Sequence, residues 1–352
     1  TDQRASDVHL AAGEVPALRI DGQVKRLNSE PLTADETKRL VFSVMNERLK
    51  ARFEESLDLD FSIGLESLAR FRVNVFSRRG GIAAVFRLIP DTIVPLEELE
   101  LPRAVVDIAN YNRGLVLVTG PTGSGKTTTL AALLDHINRT RRQHILTIED
   151  PIEFVHRAQK CLVNQREIGV HSKSFAAALR SALREDPDVL LVGEMRDLET
   201  MQLAMTAAET GHLVFASLHT KGAIDSIDRI IDAFPTNRQE QIRTQLASSL
   251  QAVVSQMLLP RKSGKGRVCA AEVMIVTHGV RNLIRENKIF QIPSLMQTSR
   301  GIGMTTYRMT VRQLARTSVI SAETAIEATG DPDIMDEETL TRPGTITRPG
   351  RG

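Results

Sequence analysis

Four short apolar runs, at residues 115–118, 145–148, 189–192 and 213–218, stand in the second part of the chain with helix-length intervals between them. That alternation predicts a parallel sheet with crossover helices, because a parallel partner needs a connection long enough to return the chain over one face. Earlier in the chain, "FRVNVF" (71–76) and "IAAVFRLI" (82–89) flank the turn-rich "SRRGG" and predict a hairpin. With Arg79 and Gly80 at its tip, Phe71 faces Leu88, Val73 faces Phe86 and Val75 faces Ala84, which gives one apolar face. Arg72 and Arg87 then lie opposite one another on the other face. Moving the tip to Gly80 and Gly81 keeps both arginines on that face, whereas a one-residue slip would drive Arg87 into the apolar side.

The stretch "PDTIVPLEELELP" (90–102) carries three prolines and several acids and reads as a linker. Beyond about residue 275 the chain turns mainly helical. The final "TRPGTITRPGRG" repeats Thr-Arg-Pro-Gly twice and reads as disordered. The expected organisation is therefore an N-terminal domain at 1–90, a linker at 91–102, a nucleotide domain with a helical C-terminal part at 103–335, and a tail at 336–352. At 352 residues, the chain has length for two domains that each bury a core.

A net charge of +2, from 45 basic and 43 acidic residues, gives no support for a nucleic-acid or membrane-surface protein. The absence of Trp and the presence of two Tyr argue against a base-stacking channel. No apolar run approaches the roughly 18 residues needed to span a bilayer, and "TDQRASDVHL" lacks a secretory core, so a cytoplasmic location is expected. The chain begins without Met, which leaves room for an upstream element. Two cysteines, Cys161 and Cys269, exclude a disulfide framework and a four-cysteine zinc site.

The chemistry begins with "GLVLVTGPTGSGKTTTLAALLDHIN" (114–138). Gly120, Gly125, Lys126 and Thr127 satisfy the phosphate-loop spacing, with an apolar strand before it and a helix, expected over 128–138, after it. Glycines let backbone N–H groups turn toward phosphate oxygens, Lys126 reaches the outer phosphates and Thr127 can ligand Mg²⁺. The residues expected to cradle ATP are Gly120, Thr122, Gly123, Ser124, Gly125, Lys126, Thr127 and Thr128. In "DVLLVGEMRD" (188–197), Glu194 lies just past a buried strand, where an open α/β sheet presents its ligand groups and a carboxylate can orient an attacking water. Gly193 stands where the second phosphate-site motif usually has Asp. "ILTIEDPIEF" (145–154) ends with Glu149, Asp150 and Glu153, which suit magnesium or water handling and suit a solvated acidic loop equally. His212 and His219 are an odd number of residues apart at the two ends of one strand, which opposes joint metal binding. His219 is at the end nearer the expected nucleotide.

These segments, in this order, resemble the secretion ATPase superfamily, whose members drive type IV pili and type II secretion. "ILTIEDPIEF" is similar to that family's Asp box, "DVLLVGEMRDLET" to its atypical Walker B segment and "ETGHLVFASLHT" to its His box. "ASDVHL" (5–10), "NQREIG" (164–169) and "VRNLIRENKIFQI" (280–292) resemble the pilus-retraction branch, with Val280 where isoleucine is usual. The resemblance implies an α/β protein: a PAS-like N-terminal α+β domain followed by a RecA-like P-loop ATPase domain with a helical C-terminal part. It implies a homo-hexamer in which each N-terminal domain packs on a neighbour's ATPase domain, so that Arg72 and Arg87 reach the nucleotide's phosphates. Glu194, Glu153 and His219 take catalytic roles, and Thr127, Glu149 and Asp150 handle Mg²⁺.

The implied activity is ATP hydrolysis coupled to pilus retraction and twitching motility, at the cytoplasmic face of the inner membrane. The implied partners are an inner-membrane platform protein, through which the motor associates peripherally with the membrane, and an accessory retraction ATPase. The rival readings are that accessory ATPase itself and the assembly or type II secretion ATPases, which carry a longer N-terminal region and usually a four-cysteine zinc insert. A scaffold that binds ATP without turnover is opposed by Glu194. In 280–292, Val280, Leu283 and Ile284 form an apolar stripe at helical spacing, leaving Arg281, Asn282, Arg285 and Glu286 as a candidate polar coupling face.

Overall fold

The computed structural model of the chain describes residues 5–20, 23–65, 69–89 and 92–336. All of the expected disordered tail except Asp336 lies outside these residues. The N-terminal part runs β1 (Asp7–Ala11), β2 (Ala17–Ile20), β3 (Gln23–Arg26), α1 (Ala34–Ser43), α2 (Glu47–Ser56), β4 (Asp58–Leu65), β5 (Ala69–Arg78) and β6 (Gly81–Ile89). There follow α3 (Arg103–Ile108), β7 (Gly114–Thr119), α4 (Lys126–Thr140), β8 (His144–Glu149), β9 (Leu162–Glu167), α5 (Phe175–Ala182), β10 (Val189–Val192), α6 (Leu198–Glu209) and β11 (Leu213–Leu218). The remainder is α7 (Ala223–Asp232), α8 (Gln239–Ser249), β12 (Leu250–Pro260), β13 (Arg267–Ile275), α9 (His278–Arg285), α10 (Ile292–Thr298), α11 (Tyr307–Arg316) and α12 (Ala322–Thr329). The strands form two sheets, in the orders β3-β2-β1-β6-β5-β4 and β13-β12-β7-β11-β10-β8-β9.

Two compact units divide the chain. The first comprises 1–93, 148–158 and 163–178, and the second 94–147, 159–162 and 179–352. In the first unit, β5 and β6 pair in the expected register, with Phe71 opposite Leu88, Val73 opposite Phe86, Val75 opposite Ala84 and Arg72 opposite Arg87. Gly80, at a φ of 92°, supplies the left-handed turn residue at the tip. The apolar face of this hairpin meets α1 and α2, so that Val73, Val75 and Ala84 close over Val41, Met45 and Phe53. Each helix begins on a side-chain cap. Thr33 and Glu36 form a reciprocal capping box on α1, and Asn46 caps α2.

In the second unit, β7 lies between β11 and β12 and is parallel to both. Leu115 to Val118 are wholly buried, as a central parallel strand covered on both faces requires. The hairpin of β12 and β13 extends the sheet on that side and did not figure among the four expected strands. Its signal was present, because "LQAVVSQMLLP" and "RVCAAEVMI" flank a Gly- and Lys-rich turn. The stretch expected to be a linker is docked from Val94 onward: Leu96 is 1% exposed, and Glu97 pairs with His136 at 3.2 Å. Cys161 and Cys269 are both buried and unbonded to each other, and burial pushes the Cys269 thiol up to about 12, which suits packing rather than reactivity. No helix among the described residues is long and apolar enough to cross a membrane.

The C-terminal helices correct one expectation. Val280 and Ile284 are buried and Leu283 is half-buried, as the stripe requires, and Asn282 is exposed. Arg281, however, is not part of a free polar face. Its guanidinium donates to the carbonyls of Ala247 at 2.6 Å and Ser248 at 2.9 Å, in the last turn of α8, and to Gln251 Oε1 at 3.0 Å. A cation on the unsatisfied carbonyls of a helix end is favoured by both hydrogen bonding and the helix dipole. Arg281→Ala should therefore destabilise the fold by about 0.5–1.5 kcal/mol, because part-buried and exposed helix-end carbonyls lose their donor. Asn282→Ala should change stability by less than about 0.5 kcal/mol. Parallel thermal melts of the two variants check this, and equal melting temperatures would remove the clamp.

Candidate functional site

Where β7 ends at Thr119, the chain turns through Gly120, Gly123 and Gly125, at φ angles of 143°, 79° and 90°, into the first turn of α4. Such a run of left-handed glycines points successive N–H groups into one concavity. The space is filled to its limit at Gly120, where a Cβ would meet the Gln256 carbonyl oxygen at 2.3 Å and Ser124 Oγ at 2.6 Å. Gln256, on β12, also donates its side-chain amide to the Ser124 carbonyl at 2.9 Å. It is therefore a structural wall of the loop that the motif does not name. Lys126 Nζ donates to the carbonyls of Gly120 at 2.9 Å and Pro121 at 3.0 Å, holding the loop curled over the helix end. Thr122 and Gly123 are exposed, and Thr127 and Thr128 sit half-buried in the first turn of α4. The hydroxyls of Thr119 and Ser124 are buried without a hydrogen-bonding partner, which fits a polar ligand at this strand end.

Parallel pairing aligns the carboxyl ends of β7, β11 and β10, with Leu218 beside Thr119 and Ala216 beside Val192. Glu194 and His219 follow β10 and β11 at that same edge. They meet there: His219 Nε2 lies 3.4 Å from one Glu194 oxygen, and Arg196 lies 2.8 Å from the other. The turn bearing Glu194 is fastened from β11, because the Ser217 hydroxyl donates to the Gly193 carbonyl and the Met195 N–H donates to the Ser217 carbonyl at 3.2 Å. The Gly193 carbonyl, where the usual motif has an Asp, is thus taken up in tying the turn to β11. His212 stands apart at the opposite end of β11, where its Nδ1 is within 2.9 Å of the Ala207 carbonyl. Beyond His219, Glu272 of β13 accepts the N–H groups of Ala223 at 2.8 Å and Tyr307 at 3.4 Å, so one carboxylate serves the first turns of α7 and α11. Burial pushes that carboxyl up, against the two backbone hydrogen bonds that pull it down.

The remaining expected residues belong to the first unit. Arg72 reaches Asp60 at 3.7 Å and Glu153 at 3.9 Å. Arg87 donates Nε to Asp7 at 2.8 Å while two-thirds of its side chain stays exposed. Burial pushes the Asp7 carboxyl up, but hydrogen bonds from Ser6 and Arg87, with the Arg87 charge, outweigh it and hold the group below its ordinary range. Two directly opposed arginines repel. Asp7 on β1 and Asp60 on β4, one on either side, offset that repulsion. Glu149 is buried and accepts the Gln165 amide at 3.1 Å, whereas Asp150 is exposed. Among the described residues, no group of three or more His, Cys, Asp or Glu is arranged to hold a metal ion.

A central parallel sheet, a glycine cradle at its carboxyl edge and a positioned carboxylate beside it define a P-loop ATPase. Residues 1–327 match the family described as "Type II/IV secretion system protein", and the chain belongs to that family. It is 52% identical over 331 residues to the type IV pilus retractation ATPase PilT of Pseudomonas aeruginosa, covering 94% of this chain and 96% of that protein. It is also 52% identical over 328 residues to a twitching motility protein of Neisseria gonorrhoeae, covering 92% of this chain and 88% of that one. The crystal structure of the pilus retraction motor PilT with bound ADP superposes with a TM-score of 0.88 at 52% identity, over 94% of this chain and 95% of that one. The chain is accordingly a nucleotide-binding ATPase with an N-terminal α+β unit.

Gly120→Ala should abolish nucleotide binding, since the added methyl must displace a backbone carbonyl of β12 and strain the loop. Titration with a fluorescent ADP analogue measures this, and wild-type affinity would show that the loop has slack. Glu194→Gln should retain that affinity and lose roughly 10²- to 10⁴-fold in turnover, the scale of a positioned acid–base group. A loss of binding as steep as the loss of turnover would make Glu194 structural.

Proposed function

We propose that this chain is a subunit of a homo-hexameric motor that couples ATP hydrolysis to type IV pilus retraction, and so to twitching motility. The observation that carries the reading is the near full-length likeness to proteins named for that activity, together with an intact cradle and Glu194 at the carboxyl edge of the sheet. In this reading Lys126 exchanges its loop carbonyls for the outer phosphates of ATP. Thr127 would hold Mg²⁺ jointly with the phosphates, the arrangement that suits an ion bound through few protein groups, and Glu149 and Asp150 would support it. When bound, the ion supplies charge neutralisation for phosphoryl transfer. Glu194 orients the attacking water and takes its proton, and the adjacent His219 and Arg196 hold the Glu194 carboxylate in place. Glu153 assists from the acidic turn.

Arg72 and Arg87 act on a neighbouring subunit's nucleotide. The polar face that they share with Asp7 and Asp60 supports this, because each guanidinium is held by carboxylates while remaining at least one-third exposed. In this reading the N-terminal unit is PAS-like, and the ATPase unit, which takes in the stretch from Val94, is RecA-like. The motor works at the cytoplasmic face of the inner membrane through a platform protein, without nucleic acid, and an accessory retraction ATPase is a further partner. ATPase assay on size-separated oligomer, with rescue of twitching in a deletion strain by this gene, tests the reading. Rescue only alongside a second ATPase would reassign the chain to the accessory role, and hydrolysis without any rescue would send it to assembly or secretion.

Arg72→Ala and Arg87→Ala should each lower hydrolysis in the assembled ring, on a scale of up to roughly 10³- to 10⁵-fold. Mixing either with Lys126→Ala subunits should restore part of the activity, because one partner brings the intact arginine and the other the intact cradle. Subunit exchange is followed separately by fluorescence. Exchange without recovery would rule out action between subunits.

A further inference from the structure

The segment "NQREIG" has no part in the roles above, yet two of its side chains grip the acidic turn that follows β8. Gln165 uses both ends of its amide. Its Nε2 donates to Glu149 Oε1 at 3.1 Å and to the Phe154 carbonyl at 2.9 Å, and its Oε1 accepts the His156 N–H at 2.8 Å. Glu167, 2% exposed, accepts the Ile152 N–H at 3.2 Å and the Ser62 hydroxyl at 2.8 Å with one oxygen, and the same hydroxyl at 2.9 Å with the other. The Arg70 guanidinium lies 3.5 Å away. The backbone N–H of Glu167 donates to His171 Nδ1 at 3.0 Å, which puts the proton of the neutral ring on Nε2. The turn is thus held at Glu149, Ile152, Phe154 and His156. Arg70 stands two residues along β5 from Arg72, whose guanidinium reaches Glu153. All these residues belong to the first unit.

We infer that Gln165 and Glu167 are positioning residues for hydrolysis: Gln165 aims the Glu149 carboxylate, and Glu167 fixes the backbone at Ile152 so that Glu153 stays within reach of Arg72. The inference rests on the reading of Glu149, Asp150 and Glu153 as metal- and water-handling groups. The residue types follow from the partners. Position 165 must donate to a carboxylate and accept from a backbone N–H at once, which an amide does and an ionised carboxylate cannot. Position 167 meets donors only, an N–H, a hydroxyl and a guanidinium, and an acceptor-only carboxylate suits all three. A turn carrying three acids repels itself, and the Gln165 amide holds the Glu149 carboxylate from outside it.

Gln165→Met keeps the side-chain length and removes its hydrogen bonds. Its turnover should fall by roughly 10- to 100-fold, the usual cost of losing an outer-shell partner. Affinity for a fluorescent ADP analogue should stay within about twofold and the melting temperature near wild type, since such a group orients and does not bind the nucleotide. Gln165→Asn gives a second readout, since it keeps an amide but, one methylene shorter, withdraws it from Glu149. Its turnover should fall as well, while on a Glu149→Gln background it should add no more than about twofold, because the carboxylate to be aimed is gone. Near-wild-type turnover in Gln165→Met would overturn the inference, as would parallel losses of turnover, nucleotide affinity and melting temperature. An undiminished extra loss from Gln165→Asn on the Glu149→Gln background would do the same, and it decides the matter if the Met variant does not fold. Glu149→Gln and Glu153→Gln separate this from the reading beneath it. If both turn over like wild type, the acidic turn is not catalytic and both ideas fall. If they are impaired while Gln165→Met is not, only the positioning role falls.

Discussion

A loop that must turn its amide groups toward phosphate oxygens has no room for a side chain at Gly120, and the second unit is organised around that exclusion. The carbonyl of Gln256 and the hydroxyl of Ser124 stand where a methyl would be. The approach is that close because β12 is paired directly to β7, with Ser255 beside Thr119. Placing β7 between two parallel neighbours buries Leu115 to Val118 completely and makes the strand end a fixed platform. The loop gains its rigidity from that platform. The amide of Gln256 on Ser124 and the ammonium of Lys126 on Gly120 and Pro121 then hold it in shape.

The acidic groups fall into two sets held by different means. Glu194 is steadied by the Arg196 guanidinium and the His219 ring, on a turn tied down from β11. Glu149 takes the Gln165 amide, and Glu167 holds the backbone of the turn after it. Cationic partners lower the charge available to a ligand, whereas an amide orients a carboxylate without neutralising it. The arginine pair of the first unit shows the same economy, since Arg87 is anchored at Nε and keeps most of its guanidinium exposed.

Much of this was legible from local pattern. The shared face of Arg72 and Arg87 in the β5–β6 hairpin was legible because a slip of one residue would bury Arg87, whereas the choice of Arg79 and Gly80 over Gly80 and Gly81 as the tip came from the structure. The four expected strands of the sheet, the cradle and the position of Glu194 followed from period, turn chemistry and the rule that ligand groups collect at carboxyl ends. The buried stripe of α9 was equally plain. The polar face of that helix was not. Arg281 has the composition of a solvated residue, and only the arrival of α8, more than 30 positions away in sequence, supplies the carbonyls that it caps.

What the sequence determined by itself was therefore which faces are apolar, where the chain must turn and which residue types can meet a phosphate, since each of these is written within a few neighbouring positions. What the tertiary structure alone decided was the identity of the second partners: Gln256 behind Gly120, Gln165 on Glu149, Glu167 on Ile152, Asp7 on Arg87 and Leu96 in a core instead of a linker. The reason is geometric. Periodicity specifies the direction of a side chain relative to its own element, but a hydrogen bond needs a partner within about 3 Å, and only the packing of distant segments brings one there.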